Sequence, residues 1–261
     1  MDYSYRKTDL IQIAELQKKK KIFFISDLHL PLQFSGSANA TEQEDKVLAW
    51  LDYIKPKTHA LFLLGDIFDF WFEYKFLVPK GAIRLLVKLL EFHKAQIPVY
   101  FFLGNHDYWC IDYLTQACGV QLFKKPESIT ICNQSFLIGH GDTFNPNPYH
   151  AIFYRWYHSA FLQSLARTVP ADWLYGLIHR FVLRKNPIRN NSVFEKKDRI
   201  FKYCQEQIEP FVHHDFYIFG HMHAPIIKVL NDSSYYYNIG DWVSHYTYAC
   251  FDGLALSLLN F

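Results

Sequence analysis

The stretch that decides the fold of this chain is Ile22-Phe23-Phe24-Ile25-Ser26-Asp27-Leu28-His29. Its four apolar residues predict a strand buried on both faces, and the polar residues after them predict the loop that follows it. Four later segments repeat this order of an apolar run followed by polar side chains, namely residues 60–66, 99–107, 136–141 and 216–223. The repetition predicts strands that each present polar side chains at the carboxyl end.

Helical patterns separate the first of these strands. Residues 44–54 form one such pattern, and residues 82–94 form another in which pairs of leucines recur one helical turn apart. Strands that alternate with helices predict an α/β fold. Binding sites in such folds lie outside the carboxyl ends of the strands. All five polar segments fall at such ends, so we expect their side chains to form one site.

The length and composition of the chain limit its class. Of its 261 residues, 50% are hydrophobic and 18% are aromatic, so we expect one folded domain over residues 1–261 and no extensive disorder. The formal net charge of +2 lacks the basic excess that is typical of nucleic-acid-binding proteins. We therefore expect no nucleic-acid partner, and nothing in the sequence indicates an obligate protein partner.

The cysteines and the N-terminus indicate the compartment. The five cysteines are scattered and form no C-x-x-C pair, which disfavours a disulfide framework and a zinc–thiolate site. The first residues lack the apolar stretch of a signal peptide, and no apolar run approaches the ~20 residues that span a bilayer. We expect a cytoplasmic protein, with peripheral contact at the inner face of the membrane left open.

The stretch from Asn145 to Asn191 differs from the rest of the sequence. It begins with the turn signal Asn145-Pro146-Asn147-Pro148 and continues with two aromatic patterns at helical spacing. Its charged residues are basic apart from Asp172, which suits contact with phosphates or with an anionic membrane surface. We predict a helical cap insertion over residues 145–191. Its aromatic residues either pack on the core or line a groove for an apolar ligand.

Seven side chains in the polar segments are candidate ligands for divalent metal ions. Oxygen together with imidazole suits Mn, Fe or Zn, and on an extended strand end the spacing within D-x-H and H-x-H lets both side chains face one way. A carboxylate can bridge two ions, and two ions ~3.5–4 Å apart can clamp a phosphoryl group. The candidates are Asp27, His29, Asp66, Asn105, His140, His221 and His223.

Each polar segment by itself has a simpler explanation. D-x-H usually lies in a loop, G-D-x-x-D is common at turns and helix starts, and G-N-H-D can be a tight turn closed by Asn and Asp side chains. A lone histidine after a strand is more often a satisfied core residue than a ligand. These explanations would all have to hold together at five strand ends, so we predict a site for two divalent metal ions.

The ordered set D-x-H, G-D-x-x-D, G-N-H-D, G-H and G-H-x-H resembles the calcineurin-like metallophosphoesterases over residues 22–245. The resemblance implies a four-layer α/β/β/α sandwich of two mixed sheets. It gives one ion to Asp27, His29, Asp66 and His223, and the second ion to Asp66, Asn105, His140 and His221. In that arrangement Asp66 bridges the two ions, and a metal-bound hydroxide attacks phosphorus in line.

The same resemblance gives roles to residues beside the ligands. His106 matches the family histidine that contacts the phosphate or protonates the leaving group. Asp107 would fix the orientation of His106. Asp69 and Asp142 resemble further supporting groups, with capping of local structure as an equal alternative.

Among these enzymes the chain is similar to the UDP-2,3-diacylglucosamine hydrolases in its length, its His140-Gly141-Asp142-Thr143 segment and its insertion. These enzymes of lipid A synthesis split a diacylated sugar nucleotide at its pyrophosphate, giving UMP and 2,3-diacylglucosamine 1-phosphate. The resemblance implies this activity, two divalent ions with Mn ahead of Fe or Zn, a lipid-linked sugar-nucleotide substrate and an apolar chamber in the insertion. By position, Tyr149 and Arg155 are candidates for substrate binding.

One position departs from the best-known UDP-2,3-diacylglucosamine hydrolases, which carry Arg where this chain has His106. The departure keeps two alternatives open. One is a metallophosphoesterase of other specificity, such as a phosphodiesterase or a nucleotide pyrophosphatase, which predicts a polar and open site. The other is a non-catalytic scaffold on the same fold, which predicts that ligands are missing, although the sequence retains all seven.

Overall fold

Two six-stranded mixed sheets form the framework of the protein. The structure, a computed structural model, describes residues 11–31, 38–81, 83–144, 154–181 and 198–261. The strands are β1 (Gln12–Ile13), β2 (Lys21–Ile25), β3 (Thr58–Leu63), β4 (Val99–Phe102), β5 (Gln121–Phe123), β6 (Glu127–Ile131), β7 (Gln134–Ile138), β8 (Phe216–Phe219), β9 (Pro225–Asn231), β10 (Ser234–Ile239), β11 (Thr247–Phe251) and β12 (Leu256–Asn260). The helices are α1 (Ala38–Ile54), α2 (Ile83–Lys94), α3 (Tyr113–Cys118), α4 (Ala160–Ala166), α5 (Ala171–Phe181) and α6 (Arg199–Tyr203).

The strand order places the candidate ligands at one edge of the sheets. The first sheet runs β12-β11-β2-β3-β4-β5, and the second runs β1-β6-β7-β8-β10-β9. Strands β2, β3, β4 and β5 are mutually parallel, and β7 is parallel to β8. Parallel neighbours end at the same edge of a sheet. The loops after β2, β3 and β4 therefore lie side by side, as do the loops after β7 and β8.

Three apolar layers hold the sheets and helices together. Between the sheets, Phe24 and Phe62 of the first lie in one cluster with Phe136 and Ile218 of the second. On the outer face of the first sheet, α1, α2 and α3 pack around the buried Trp50. The outer face of the second sheet is covered by α6 and the π-helical turn that follows it. The layers run helix, sheet, sheet, helix, which confirms the predicted four-layer sandwich.

The position of the strands explains why their sequences are continuous apolar runs. All four residues of β4 and of β8 are buried, as are the four residues of β2 after Lys21. Each of these strands has helices on one face and the other sheet on its second face. An alternating pattern would place polar side chains in one of the two cores, so the runs predicted as strands are confirmed.

The two predicted helices are confirmed as α1 and α2, with an earlier start for the first. Helix α1 begins at Ala38 and not at Glu44, because its first turn carries exposed residues such as Thr41 and Glu42 and thus shows no apolar period. It gives way to a 3-10 turn that contains Pro56, a residue that cannot continue a helix. Across the described residues, the helices are too short or too polar to cross a bilayer.

The described part of the insertion, residues 154–181, is fixed to the loops after β3 and β4. Leu162 of α4 and Leu174 of α5 pack against a cluster that includes Phe70. Hydrogen bonds join the same parts, among them those from the Tyr74 hydroxyl to the Val169 carbonyl (3.0 Å), from the Tyr175 hydroxyl to the Phe72 carbonyl (2.8 Å) and from the Trp109 indole to the Tyr157 carbonyl (3.1 Å). The inward face of the insertion therefore packs on the loops that carry candidate ligands.

A buried histidine makes the fold sensitive to acid. His214 is fully buried, with Nε2 2.8 Å from the Ser128 hydroxyl and Nδ1 3.3 Å from the Tyr217 hydroxyl. Burial lowers the pKa of His214 from 6.5 to about 4. Between these two values the unfolded chain binds a proton that the folded protein does not, so a falling pH favours unfolding.

We expect His214→Gln to reduce the loss of stability that accompanies a fall in pH. The histidine contributes a loss of about 2 kcal/mol at pH ~5, whereas glutamine offers polar atoms without titrating. Urea unfolding of variant and wild type at pH ~7 and pH ~5 measures the difference, because acid effects of other groups are common to both. His213→Gln, at the exposed neighbour, is the matched control. Equal acid sensitivity of His214→Gln and wild type would contradict the prediction.

Candidate metal centre

Five loops bring the candidate ligands to one edge of the two sheets. The loops after β2, β3 and β4 carry Asp27, His29, Asp66 and Asn105, and those after β7 and β8 carry His140, His221 and His223. Backbone hydrogen bonds join neighbouring loops, from the Asp27 N–H to the Gly65 carbonyl and from the His29 N–H to the Asp66 carbonyl, both at 3.0 Å. The backbone itself thus sets the spacing of the ligands.

One group of side chains combines Asp27, His29 and His223, with one ligand atom of each within 4.8 Å of the others. Asp27 Oδ1 and His29 Nε2 lie 3.2 Å and 3.3 Å from His223 Nε2. Asp27 Oδ2 accepts from the Ser26 hydroxyl at 2.6 Å and from the His221 N–H at 2.9 Å. Oδ1 is therefore the oxygen available to a cation, together with two imidazole nitrogens.

A second group combines Asp66, His140 and His221, again within 4.8 Å. His140 Nε2 lies 3.3 Å from Asp66 Oδ2 and 3.2 Å from His221 Nδ1. Asn105 lines the same cavity as His221, so its amide oxygen can complete this group. The seven residues predicted from the sequence are thus brought together in two adjoining clusters.

Asp66 lies between the two groups. Its Oδ2 is 3.9 Å from His29 Nε2 and 3.3 Å from His140 Nε2, while its Oδ1 accepts from the His106 N–H at 2.9 Å. Burial opposes ionisation of this carboxyl, but His140, His106 and His29 outweigh it and hold the pKa of Asp66 well below its usual range. The position and the charge both suit a carboxylate shared by two ions.

The ring nitrogens that face away from the centre lie near oxygens. His140 Nδ1 is hydrogen-bonded to the Leu64 carbonyl (2.8 Å), whereas the corresponding nitrogens of His29 and His223 only lie near the carboxylates of Asp69 (3.6 Å) and Asp241 (3.9 Å). A carbonyl only accepts, so His140 carries a proton on Nδ1 and turns Nε2 toward the centre, where a cation would take the place of any proton on it. The three histidines therefore point Nε2 at the space where a cation would lie.

The metal-free centre carries surplus negative charge. Burial opposes protonation of His29, but the carboxylates of Asp69, Asp66 and Asp27 raise its pKa to about 9. Burial likewise opposes protonation of His140, and Asp66 raises its pKa well above the ordinary value. Protons on these rings compensate the carboxylates in the absence of a cation, and bound cations would take over that role.

Two buried oxygens without partners indicate that these residues fit metal ions. Among the described residues, Asp27 Oδ1 and Asn105 Oδ1 have no hydrogen-bond partner. An unpaired buried oxygen costs ~1–3 kcal/mol. One of the two oxygens belongs to each candidate ion site, so a cation at each place would satisfy both. Together with the imidazoles, they form a donor set that suits Mn, Fe or Zn.

The backbone at five of the seven candidate ligands adopts the left-handed conformation. The positive φ angles are 54° at Asp27, 46° at His29, 51° at Asp66, 66° at His221 and 52° at His223. Such a conformation costs a non-glycine residue ~1–3 kcal/mol. The side chains of D-x-H and H-x-H therefore face the centre because the backbone turns at each of them, and not because the strand stays extended as the sequence predicted.

Two glycines allow the loops to approach each other. A Cβ atom on Gly104 would lie 2.3 Å from Asp66 Oδ1, and one on Gly220 would lie 1.9 Å from the Ser26 hydroxyl. Either contact is far shorter than van der Waals distance. The glycines that precede Asn105 and His221 are thus required by the close packing of the ligand loops.

His106 lies at the edge of the centre with a fixed ring orientation. Its Nδ1 is 2.5 Å from the Asp69 carbonyl, so this nitrogen carries a proton and Nε2 faces the centre. The orienting contact expected of Asp107 is thus made by Asp69. The Asp107 carboxylate accepts from the N–H groups of Gly104 (2.6 Å) and Ile67 (2.8 Å). Asp107 therefore joins the loop after β4 to the loop after β3.

The candidate substrate-binding residues fall in different places. Tyr149 lies outside the described residues. Arg155 is exposed, and from the same segment Tyr154, Tyr157 and His158 line the cavity beside the centre. The sequence alone could not show which of these side chains line the cavity, because adjacent side chains of one helical turn face in different directions.

Asp241 is a site residue that the sequence analysis missed. It is buried, and its Oδ2 lies beside His223 and accepts from His245 Nδ1 at 2.6 Å. A weaker form of the same pattern preceded it, since the tyrosine-rich strand β10, interrupted by Asn238, leads into Gly240-Asp241.

A single cavity of about 520 Å³ connects the centre to the insertion. Near the centre its wall is polar, with Asn105, His106, Asp142 and His221. Toward the insertion its wall is largely aromatic and aliphatic, with Phe70, Trp109, Tyr154, Tyr157, His158, Leu174 and Ile178. A ligand in this cavity would meet cation-binding groups at one end and an apolar surface at the other.

Comparison with known proteins agrees with this geometry. The sequence model of the calcineurin-like phosphoesterase family matches residues 20–225. The chain belongs to this family. As a calcineurin-like phosphoesterase it is a metal-dependent hydrolase, and divalent ions are the cofactors that the family implies.

Curated proteins similar to this phosphoesterase include UDP-2,3-diacylglucosamine hydrolases. A UDP-2,3-diacylglucosamine hydrolase of Porphyromonas gingivalis is 29% identical over 92% of the chain and 97% of that protein. A protein of the same name from Shewanella baltica is 28% identical over 85% of the chain and 89% of its own length. A solved dimetal phosphatase of Danio rerio covers 93% of the chain with 12% identity and a TM-score of 0.41, a likeness too distant to support an argument.

We expect metal content to separate the roles of Asp66 and His106. Asp66→Ala removes the carboxylate shared by both groups and should abolish activity and most metal binding, whereas His106→Ala should slow turnover and keep the ions. Mass spectrometry of bound metal in the purified variants measures the difference. The control is Asp252→Ala. Asp252 lies in the turn after β11, at the end of that strand away from the metal centre, so this change should affect neither activity nor metal content. Loss of both ions from His106→Ala would show that His106 is a ligand.

Proposed function

We propose that this phosphoesterase hydrolyses the pyrophosphate of UDP-2,3-diacylglucosamine to UMP and 2,3-diacylglucosamine 1-phosphate. The observation that carries the proposal is the single cavity that joins the candidate metal centre to an apolar wall of the insertion. A diacylated sugar nucleotide has the same two parts, a pyrophosphate and acyl chains. The names of relatives that match 92% and 85% of the chain support the same substrate.

In this proposal each candidate ligand has a defined place. Asp27, His29 and His223 hold one divalent ion, Asn105, His140 and His221 hold the other, and Asp66 is shared. We propose Mn as the ion, since carboxylate and amide oxygens with imidazole suit it, as they suit Fe or Zn. Bound ions would neutralise phosphate oxygens and lower the pKa of a water in the site.

His106 is the residue that we assign to the reacting phosphate. The Asp69 carbonyl accepts from Nδ1, so the ring presents Nε2 toward the centre. With a proton there, His106 can donate to a phosphate oxygen or to the leaving group. An arginine at this place would offer a bidentate pair of donors, whereas histidine offers one. Asp107 acts indirectly in this assignment, by keeping the loops of His106 and Asp66 together.

The insertion supplies the apolar part of the proposed site. Leu174 and Ile178 of α5 line the cavity together with Trp109 and Phe70. Each methylene buried there is worth ~0.8 kcal/mol, so acyl chains gain from this wall and soluble phosphodiesters do not. We therefore propose one domain over residues 1–261 in which the insertion, residues 145–191, forms part of the substrate site.

We further propose that the outward face of the insertion rests on the cytoplasmic surface of a membrane. Phe161 and Leu165 of α4 are 74% and 53% exposed, and Trp173 and Leu177 of α5 are 76% and 57% exposed. Both helices are thus apolar on the outer face as well as on the inner one, an arrangement that water does not favour. The charged residues of 154–181 are basic apart from Asp172, which suits anionic lipids.

Release of UMP tests the proposed activity. We expect the protein loaded with Mn to release UMP from UDP-2,3-diacylglucosamine and to cleave the soluble diester bis-nitrophenyl phosphate far less efficiently, because only the first substrate fills the apolar wall. UMP is measured by chromatography and the diester by absorbance. Good turnover of the diester without UMP release would sink the proposal and favour a phosphoesterase of other specificity.

Sedimentation with vesicles tests the membrane contact separately. We expect Trp173→Asp to weaken binding to vesicles of phosphatidylglycerol, because a charge on this face loses apolar contact and repels the lipid. Leu254→Asp, equally a change of an exposed apolar residue but in the turn before β12, is the matched control and should bind as the wild type does. Equal binding of both variants would remove this face from the contact.

A further inference from the structure

Asp142 is a buried carboxylate without a full set of partners in the wall of the cavity. It is 8% exposed and lines the polar part of the cavity beside the centre. Among the described residues, its Oδ2 has no hydrogen-bond partner, and neither has the adjacent Thr143 hydroxyl. The N–H groups of Asp142 and Thr143 lie beside the carboxylate, and they leave Oδ2 unsatisfied.

A carboxylate in this position is costly unless something in the cavity uses it. A buried acceptor without a partner loses its hydration, and the loss is larger for a charged group than for a neutral one. Asp107 and Asp241 are buried as well, but both oxygens of each have hydrogen-bond partners. The unpaired Oδ1 of Asp27 belongs to a group that could hold a cation, whereas Asp142 belongs to no such group among the described residues.

The chemistry of the cavity narrows what would satisfy Asp142. The groups of described residues that could hold a cation include Asp66, His140 and His221 but not Asp142, so the carboxylate does not belong to a further metal site there. A phosphate oxygen would be repelled by a carboxylate. What remains is a neutral N–H or O–H group, which lies in the substrate between its phosphates and its acyl chains.

A second polar side chain of the cavity comes from the insertion. His158 lines the cavity, and its ring is stacked on Tyr108 with 3.3 Å between ring centroids and packs against Tyr154 at 3.6 Å. The cavity thus combines cation-binding groups, two further polar side chains and an apolar wall. These surfaces suit the phosphates, the sugar and the acyl chains of the proposed substrate.

We propose that Asp142 is a specificity-determining residue that accepts a hydrogen bond from a hydroxyl or amide N–H of the sugar. The proposal rests on the proposed function, because it takes the sugar of an acylated sugar nucleotide as the donor. A site built around an acceptor rejects ligands that lack the matching donor, since binding them leaves the acceptor buried and unpaired. Asp142 then selects sugar-linked phosphates over simple diesters.

Two substrates and two variants test this role. We expect Asp142→Leu to lower kcat/KM for UDP-2,3-diacylglucosamine about 10- to 100-fold, mainly through KM, to lower that for bis-nitrophenyl phosphate far less, and to retain the bound metal. Asp142→Asn keeps one acceptor oxygen and should fall between Asp142→Leu and the wild type. Asp215→Asn, which changes a carboxylate at the far end of β8, is the control for a structural effect and should leave both substrates unaffected.

The outcomes separate the two proposals. Failure of the wild type to release UMP would contradict the proposed function and is seen before any variant is measured. If the wild type releases UMP but Asp142→Leu loses both substrates or its metal, Asp142 supports the metal centre and not the sugar. If neither variant changes KM for the sugar nucleotide, the carboxylate has no contact with substrate. Either of these results would overturn the assignment of Asp142.

Discussion

The rest of the structure depends on one shared anion, the carboxylate of Asp66. It faces His29 of the first sheet on one side and His140 of the second sheet on the other, at 3.9 Å and 3.3 Å. Two sheets must therefore be packed in one relative position for the centre to exist. The apolar layer between the sheets supplies that position, with close contacts such as that between the rings of Phe251 in the first sheet and Phe136 in the second, whose centroids are 5.1 Å apart. The apolar packing that stabilises the core therefore also sets the geometry of the centre.

The centre itself works against the stability of the metal-free protein. Carboxylates are buried beside histidines, ligand residues adopt left-handed backbone conformations, and oxygens of Asp27 and Asn105 lack hydrogen-bond partners. Strain and unpaired polar groups of this kind concentrate at functional sites, where the surrounding structure holds them in place. Here the surrounding structure is two sheets buried on both faces, and the unfavourable features are those that a cation would relieve. The features that destabilise the folded protein therefore coincide with the candidate metal centre.

The insertion completes the site because it is attached to the loops that carry the ligands. Trp109 follows His106 by three positions and donates to the Tyr157 carbonyl, while Tyr175 and Tyr74 join the insertion to the loop after β3. The described part of the insertion is therefore a wall of the cavity that is fixed to the metal-binding loops. This attachment explains how phosphate-binding and apolar surfaces come to lie in one cavity.

The sequence by itself determined the strands, their order of polar segments and the seven candidate ligands, because buried parallel strands require continuous apolar runs and a metal site requires particular donor atoms. Tertiary structure alone decided which residues support them. In the folded protein Asp69, and not Asp107, orients the ring of His106. Asp241 lies beside His223, and Asp142 lines the cavity. These contacts join segments far apart in the chain, and local pattern carries no information about such distances. The residue types of each loop determine which ligands it can bind. The packing of the two sheets determines which other side chains it contacts.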